Sequence, residues 1–208
     1  MKNFAPLLLL ITMLLPSAVS GLPDSQTVDL PRQTADETVV RRHVIKGSLA
    51  GQQTIGCLPL SAIAHTAIPP DLYAAVQSCI VQGEYHVAVG LFALAGLYGS
   101  FDSARVADKT AAEGITVLIM RTFADLSPEQ KERFNATVQR VMTTPALLDA
   151  LCVEIGKVGM PDYYPDYLLL HGLKAFTGDP HQEALIAHFN GPQVWDELQS
   201  TYLHCPAR

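Results

Sequence analysis

The residues able to do chemistry in this sequence are four cysteines, seven histidines and one acidic, tyrosine-rich segment. The cysteines are Cys57, Cys79, Cys152 and Cys205. None forms a C-x-x-C pair, and no two histidines stand at the spacing of a zinc ligand pair, so a metal centre is not indicated. An even cysteine count suits two disulfide bridges in an oxidising compartment, with three possible connectivities. His181 and His188 are seven residues apart and share a face if residues 180–189 are helical, and His171 or His204 could join them in three dimensions. A hydrolytic or metal-dependent site would have to be built from these histidines. There is no G-x-S-x-G elbow and no phosphate-cradling glycine loop, so no catalytic residue, metal or cofactor is expected.

The segment Pro161-Asp162-Tyr163-Tyr164-Pro165-Asp166-Tyr167 packs three tyrosines, two carboxylates and two prolines into seven residues. Tyrosine offers a large, stiff contact area with a polar tip, and is enriched where proteins bind proteins. Asp162 and Asp166 would steer a basic partner toward Tyr163, Tyr164 and Tyr167. The competing reading is a rigid loop leading into a helix near Leu168, with its tyrosines half buried. As a carboxylate pair for acid–base work, Asp162 and Asp166 lack any supporting pattern.

The elements that must position these residues follow from the rest of the chain. Lys2, the apolar run Phe4–Leu15 and the small residues Ala18-Val19-Ser20 have the three-part form of a signal peptide over residues 1–20. The apolar run is too short to span a bilayer. Export to the periplasm or outside the cell is therefore expected. Formal net charge is −6, and the longest basic run is Arg41-Arg42, which disfavours nucleic acid and anionic membranes as partners. Residues 21–56, rich in Gly, Pro, Gln, Thr and Asp, read as an N-terminal arm, flexible over 21–36 and extended or a short strand over 37–46.

From Cys57 onward one all-α domain of about eight short helices is expected, covering 57–208. Pro69-Pro70-Asp71 opens one helix, which runs to Val81, and Gly83-Glu84-Tyr85 turns the chain into a second run ending at Gly99. Asp102 is placed as the cap of a third helix running toward Ala124, whose half Ile115–Met120 is apolar enough to be buried, as helix or strand. Ser127-Pro128-Glu129-Gln130 is a capping box with proline at the first helical position. Thr144-Pro145 and Asp179-Pro180-His181-Gln182 repeat that start, and Gly191-Pro192 opens a last helix to about Leu203. Gly156, Gly159 and Gly178 are candidate stops. In this register Cys57 and Cys79 fall at the adjoining ends of neighbouring helices, while Cys205 follows the last helix and Cys152 lies inside another. That register favours Cys57–Cys79 and Cys152–Cys205.

Within 71–98, the run Gln82-Gly83-Glu84-Tyr85-x-x-Ala88-Val89-x-Leu91-Phe92-x-x-Ala95 resembles one tetratricopeptide (TPR) unit. The resemblance implies an αα-hairpin turned at Gly83, with Tyr85 packed across the turn and Ala88 allowing close approach. It also implies protein binding, not catalysis. The proline that usually follows the second helix is missing, and no second copy appears 34 residues on, so a stacked solenoid is not expected.

The function expected from these observations is contact with another protein, an immunity-type or inhibitor protein being the concrete version by analogy with small acidic exported helical domains. The alternatives are a hydrolase or metal-dependent enzyme using histidines, and a small-ligand carrier with a cavity among its helices.

Overall fold

A computed structural model describes residues 45–206. The proposed signal peptide and most of the arm lie outside these residues. The described chain is all-α, with eight α-helices and no strands among the described residues. They are α1 (Pro69–Gln82), α2 (Tyr85–Arg105), α3 (Glu113–Ala124), α4 (Pro128–Thr143), α5 (Pro145–Val158), α6 (Asp166–Leu169), α7 (Lys174–Thr177) and α8 (Gly191–Thr201). Short 3-10 turns at Leu60–Ala62 and Lys109–Ala112 precede α1 and α3.

Helix α2 is the axis of the fold. It is long and apolar enough by composition to cross a membrane, and here its apolar side chains are spent on the core: Ala88, Leu91, Leu94, Ala95, Leu97 and Tyr98 are all buried. Burial on so many sides requires partners around it, and α1, α4, α5 and α8 supply them. Helix α1 packs antiparallel against α2, burying Leu72, Val76, Cys79 and Ile80 at i, i+3 and i, i+4 spacing. Tyr73, Phe92, Phe123 and Phe134 meet with centroids 5.2–5.9 Å apart, joining α1, α2, α3 and α4.

Local signals define most helix starts. Ser127 Oγ accepts from the Gln130 amide, and the Gln130 side chain accepts from the Ser127 amide, completing the capping box of α4. Pro145 starts α5, although Thr144 makes no side-chain cap bond. Gly159 ends α5, while Gly156 lies inside it.

The bridges are Cys57–Cys79 and Cys152–Cys205, and no cysteine is free. The first ties the segment before α1 to the last turn of α1. The second ties α5 to the chain just beyond α8. Two such bridges fit an oxidising compartment outside the cytoplasm.

Four expectations need correction. Helix α2 does not stop at Gly99 but continues to Arg105, so Asp102 belongs to its last turn and caps nothing downstream. The chain breaks at 106–108, and it is Asp108 whose carboxylate accepts from the Thr110 amide. The stretch 115–120 is helix, but not buried all round: Leu118 faces the core while Met120 is exposed. Residues 180–189 are not a helix. Their backbone bonds go instead to the end of α2, with Ala107 N donating to Ala184 O (2.9 Å) and Ile186 N to Arg105 O (2.8 Å). Hydrogen bonds across the fold have replaced those of the helix that Asp179-Pro180 announced.

Residues 45–56 belong to the same compact unit as the helices. Leu49 is buried and its amide donates to Tyr167 O (3.0 Å).

Gly83 ends α1 in the left-handed region at φ 82°, its amide closing the last turn. A Cβ there would meet nothing within 4 Å. The glycine is thus required for its backbone angle, not for close helix approach. A Gly83→Val substitution is expected to destabilise by about 1–2 kcal/mol through that angle alone. Gly83→Asn, which tolerates the region, should recover much of the loss in a thermal melt; equal losses for the two would refute the backbone explanation.

Candidate functional site

The tyrosine segment is held by a buried charge at the end of α2. Asp102 is 0 % exposed. Its Oδ1 accepts from Arg105 Nε at 2.9 Å, and Arg105 Nη2 lies 2.6 Å away in the ion pair. Its Oδ2 accepts from the hydroxyls of Tyr167 (2.6 Å) and Tyr163 (2.9 Å). Arg105 Nη2 also donates to Tyr163 O (2.8 Å), and its guanidinium lies over the rings of Phe101 and Tyr163. Burial pushes the Asp102 carboxyl up, while Arg105 and the two hydroxyls pull it back. Burial and the neighbouring carboxylate push Tyr163 and Tyr167 well above the ordinary tyrosine range. Four groups thus satisfy one another in a low-dielectric interior. With no solvent access, Asp102 cannot reach a substrate and acts as a clamp.

That clamp divides the five candidate binding residues. Tyr167, 2 % exposed, and Tyr163, largely buried, point inward. Pro161 and Pro165 are buried beside them, and the Asp162 amide donates to His65 O (3.1 Å). Tyr164, 44 % exposed, points out together with Asp162 and the half-exposed Asp166. Tyr164 stacks on the ring of His181 at 6.2 Å, and His181 Nδ1 lies 3.5 Å from Asp166 Oδ1.

The chain beyond this segment carries further exposed apolar side chains. Leu173 and Phe176, at α7, and Ile186 are all exposed. Their backbone is fastened: Leu173 N donates to Thr110 Oγ1 (2.8 Å), Lys174 N donates to Asp108 Oδ2 (2.9 Å), and Lys174 Nζ donates to Gln182 O. Although burial raises the Asp108 carboxyl, the Thr110 hydroxyl, the amides of Lys174 and Thr110 and the Lys174 charge hold it below its ordinary value. The exposed Leu173 and Ile186 thus stand on hydrogen-bonded backbone.

Among the described residues the histidines do not converge. His171 is partly buried, with Nδ1 3.3 Å from Ser48 Oγ; burial and the Arg121 charge lower its pKa, against a smaller pull from Glu113. His181 belongs to the Tyr164 flank, and His188 is exposed. Among the described residues no three His, Cys, Asp or Glu side chains are placed to hold a metal.

Sequence reasoning missed a second place. A cavity of about 440 Å³ lies between the 49–54 loop, the first turns of α1 and α3. Asp71, 2 % exposed, lines it, and its Oδ1 accepts from the amides of Gln52 (2.8 Å) and Gln53 (3.2 Å). Gly51 makes this approach possible, because a Cβ there would fall 2.4 Å from Asp71 Oδ1. The sequence reads residues 50–54 only as part of the arm over 21–56, with no signal that they fold over Asp71. Asp71, third in a helix opened by two prolines, was visible only as a favourable first-turn acid.

The chain matches no protein-family model, no curated protein and no solved structure.

Proposed function

We propose that this chain acts by binding another protein through the flank formed by Asp162, Tyr164, Asp166 and His181, continued by Leu173, Phe176 and Ile186. The observation that carries the reading is Tyr164 standing outward between two tyrosines anchored on Asp102. Its ring is presented with little freedom left to lose on binding, which favours affinity. Asp162 and Asp166 beside it, in a chain of net charge −6, suit a basic partner surface. The α1–α2 hairpin, with its TPR-like residues, serves as scaffold here. The bridges suit the periplasm or the extracellular space, where an inhibitor or immunity-type protein of this kind would meet its target.

The test is capture of a partner from the native extract, followed by titration of that partner. Tyr164→Ala is expected to weaken binding by about 2 kcal/mol or more. Asp162→Asn should mainly slow association, by an amount that shrinks as salt is raised. Equal affinity for wild type and the Tyr164 variant would remove this flank as the interface.

A further inference from the structure

We propose that the outer face of α5 is a self-association surface, on which two copies of this chain pair antiparallel about Val153, with Asp149 of each level with the partner's Lys157. This goes beyond the protein-binding flank and uses none of its residues.

Helix α5 is apolar on sides that it does not bury. Cys152, Ile155 and Val158 face the interior, yet Ala146, Leu147, Ala150 and Val153 are exposed, Leu147 at 38 % and Val153 at 41 %. The other two-sided surface helices follow the usual pattern: α4 exposes Glu129, Glu132 and Arg133, and α8 exposes Gln193, Asp196 and Glu197. A helix that is apolar all round is one that becomes covered all round. Beside α5 the apolar surface continues into a groove of about 320 Å³, lined among others by Leu60, Val87, Val141, Leu147 and Leu151.

The charges on this face select a second copy as the cover. Ala146, Ala150, Val153 and Lys157 follow one another at steps of four, three and four, which places them on one stripe, the spacing of a helix–helix seam. Asp149 and Lys157 are both exposed and stand four residues to either side of Val153. Each is therefore about 6 Å along the helix axis from it. A two-fold axis at Val153 brings Asp149 level with the partner's Lys157, and does so twice, because a two-fold interface repeats every contact. Parallel pairing in register would set like charges against each other instead. Lys157 Nζ also donates to Glu154 Oε1 (2.6 Å) on its own helix, and an ammonium has three donors, so it can serve both carboxylates. Burial of the apolar residues supplies the attraction, and the charge pairs fix the direction of pairing.

The test is sedimentation equilibrium of the purified chain over micromolar to millimolar concentrations, where a monomer–dimer equilibrium is expected. Val153→Glu, at an exposed position, should leave the circular dichroism spectrum unchanged while weakening association about tenfold or more, because it sets two unpaired carboxylates at the centre of the interface. Lys157→Glu should weaken association as well. Adding Asp149→Lys to that variant should restore most of the loss, since the exchanged charges are again complementary. A chain that stays monomeric at the highest concentration would overturn the proposal, as would a dimer that Val153→Glu leaves equally tight. Failure of the exchanged pair to recover what Lys157→Glu lost would overturn the antiparallel pairing, and the proposal with it.

Discussion

Replacing Asp102 with alanine is expected to cost about 3–5 kcal/mol of folding stability, among the largest effects of any single substitution in this chain. The carboxylate is fully buried, and its removal strands the Arg105 guanidinium and two tyrosine hydroxyls without their shared acceptor. Charged groups buried without partners are penalised far more than the intact pair stabilises. Arg105→Ala should cost less, because Arg105 retains some exposure and Asp102 keeps its two tyrosine donors. The double variant should cost less than the two singles combined, with an interaction energy of about 1–3 kcal/mol. Chemical denaturation of the four proteins measures this, and a cost below about 1 kcal/mol for Asp102→Ala would show that the cluster is dispensable. Partner binding should fall as well, since Tyr164 is aimed by the residues on either side of it that Asp102 holds.

Removing the Cys152–Cys205 bridge, as the Cys152→Ala/Cys205→Ala pair, is expected to destabilise by roughly 4 kcal/mol. The estimate follows from a sequence separation of 53 residues, whose closure restricts the unfolded chain. The shorter Cys57–Cys79 loop, with a separation of 22, should contribute roughly 3 kcal/mol on the same basis. For a chain of this size, the Cys152–Cys205 variant should melt roughly 10 °C lower. An unchanged melting temperature would mean that Trp195 and Tyr202, packed between α8 and α2, hold the C-terminal segment unaided. The order of the two losses separates an unfolded-chain effect, which scales with loop length, from local packing around each bridge.

The comparison between sequence and structure turns on how far apart the interacting groups are. Helix starts at Pro69, Pro128, Pro145 and Gly191 could be read directly, because a cap or a proline acts within one turn of itself. The cysteine pairing was favoured from the expected helix register, and the pairs formed agree with it, although Cys57 lies ahead of α1 and starts no helix. The tyrosine segment was recognised as distinctive, but not which of its rings would face out. Alternation of apolar and polar residues does not decide that among tyrosines, each of which suits either environment.

By itself the sequence determined the all-α class, the starts of α1, α4, α5 and α8 and the acidic balance of the chain, and it favoured the cysteine pairing that forms. These depend on local propensity, capping and composition, whose effects do not need the rest of the fold. The tertiary structure alone decided the role of Asp102. Its partners Tyr163 and Tyr167 are 61 and 65 residues away, and only packing of the α6 segment against α2 brings the three together. It alone decided that residues 180–189 pair with the end of α2 and do not coil, because cross-chain bonds met the same backbone groups. It also decided that Gln52 and Gln53 close over Asp71. Burial and hydrogen-bond satisfaction are properties of what surrounds a residue, and long-range contacts determine those surroundings.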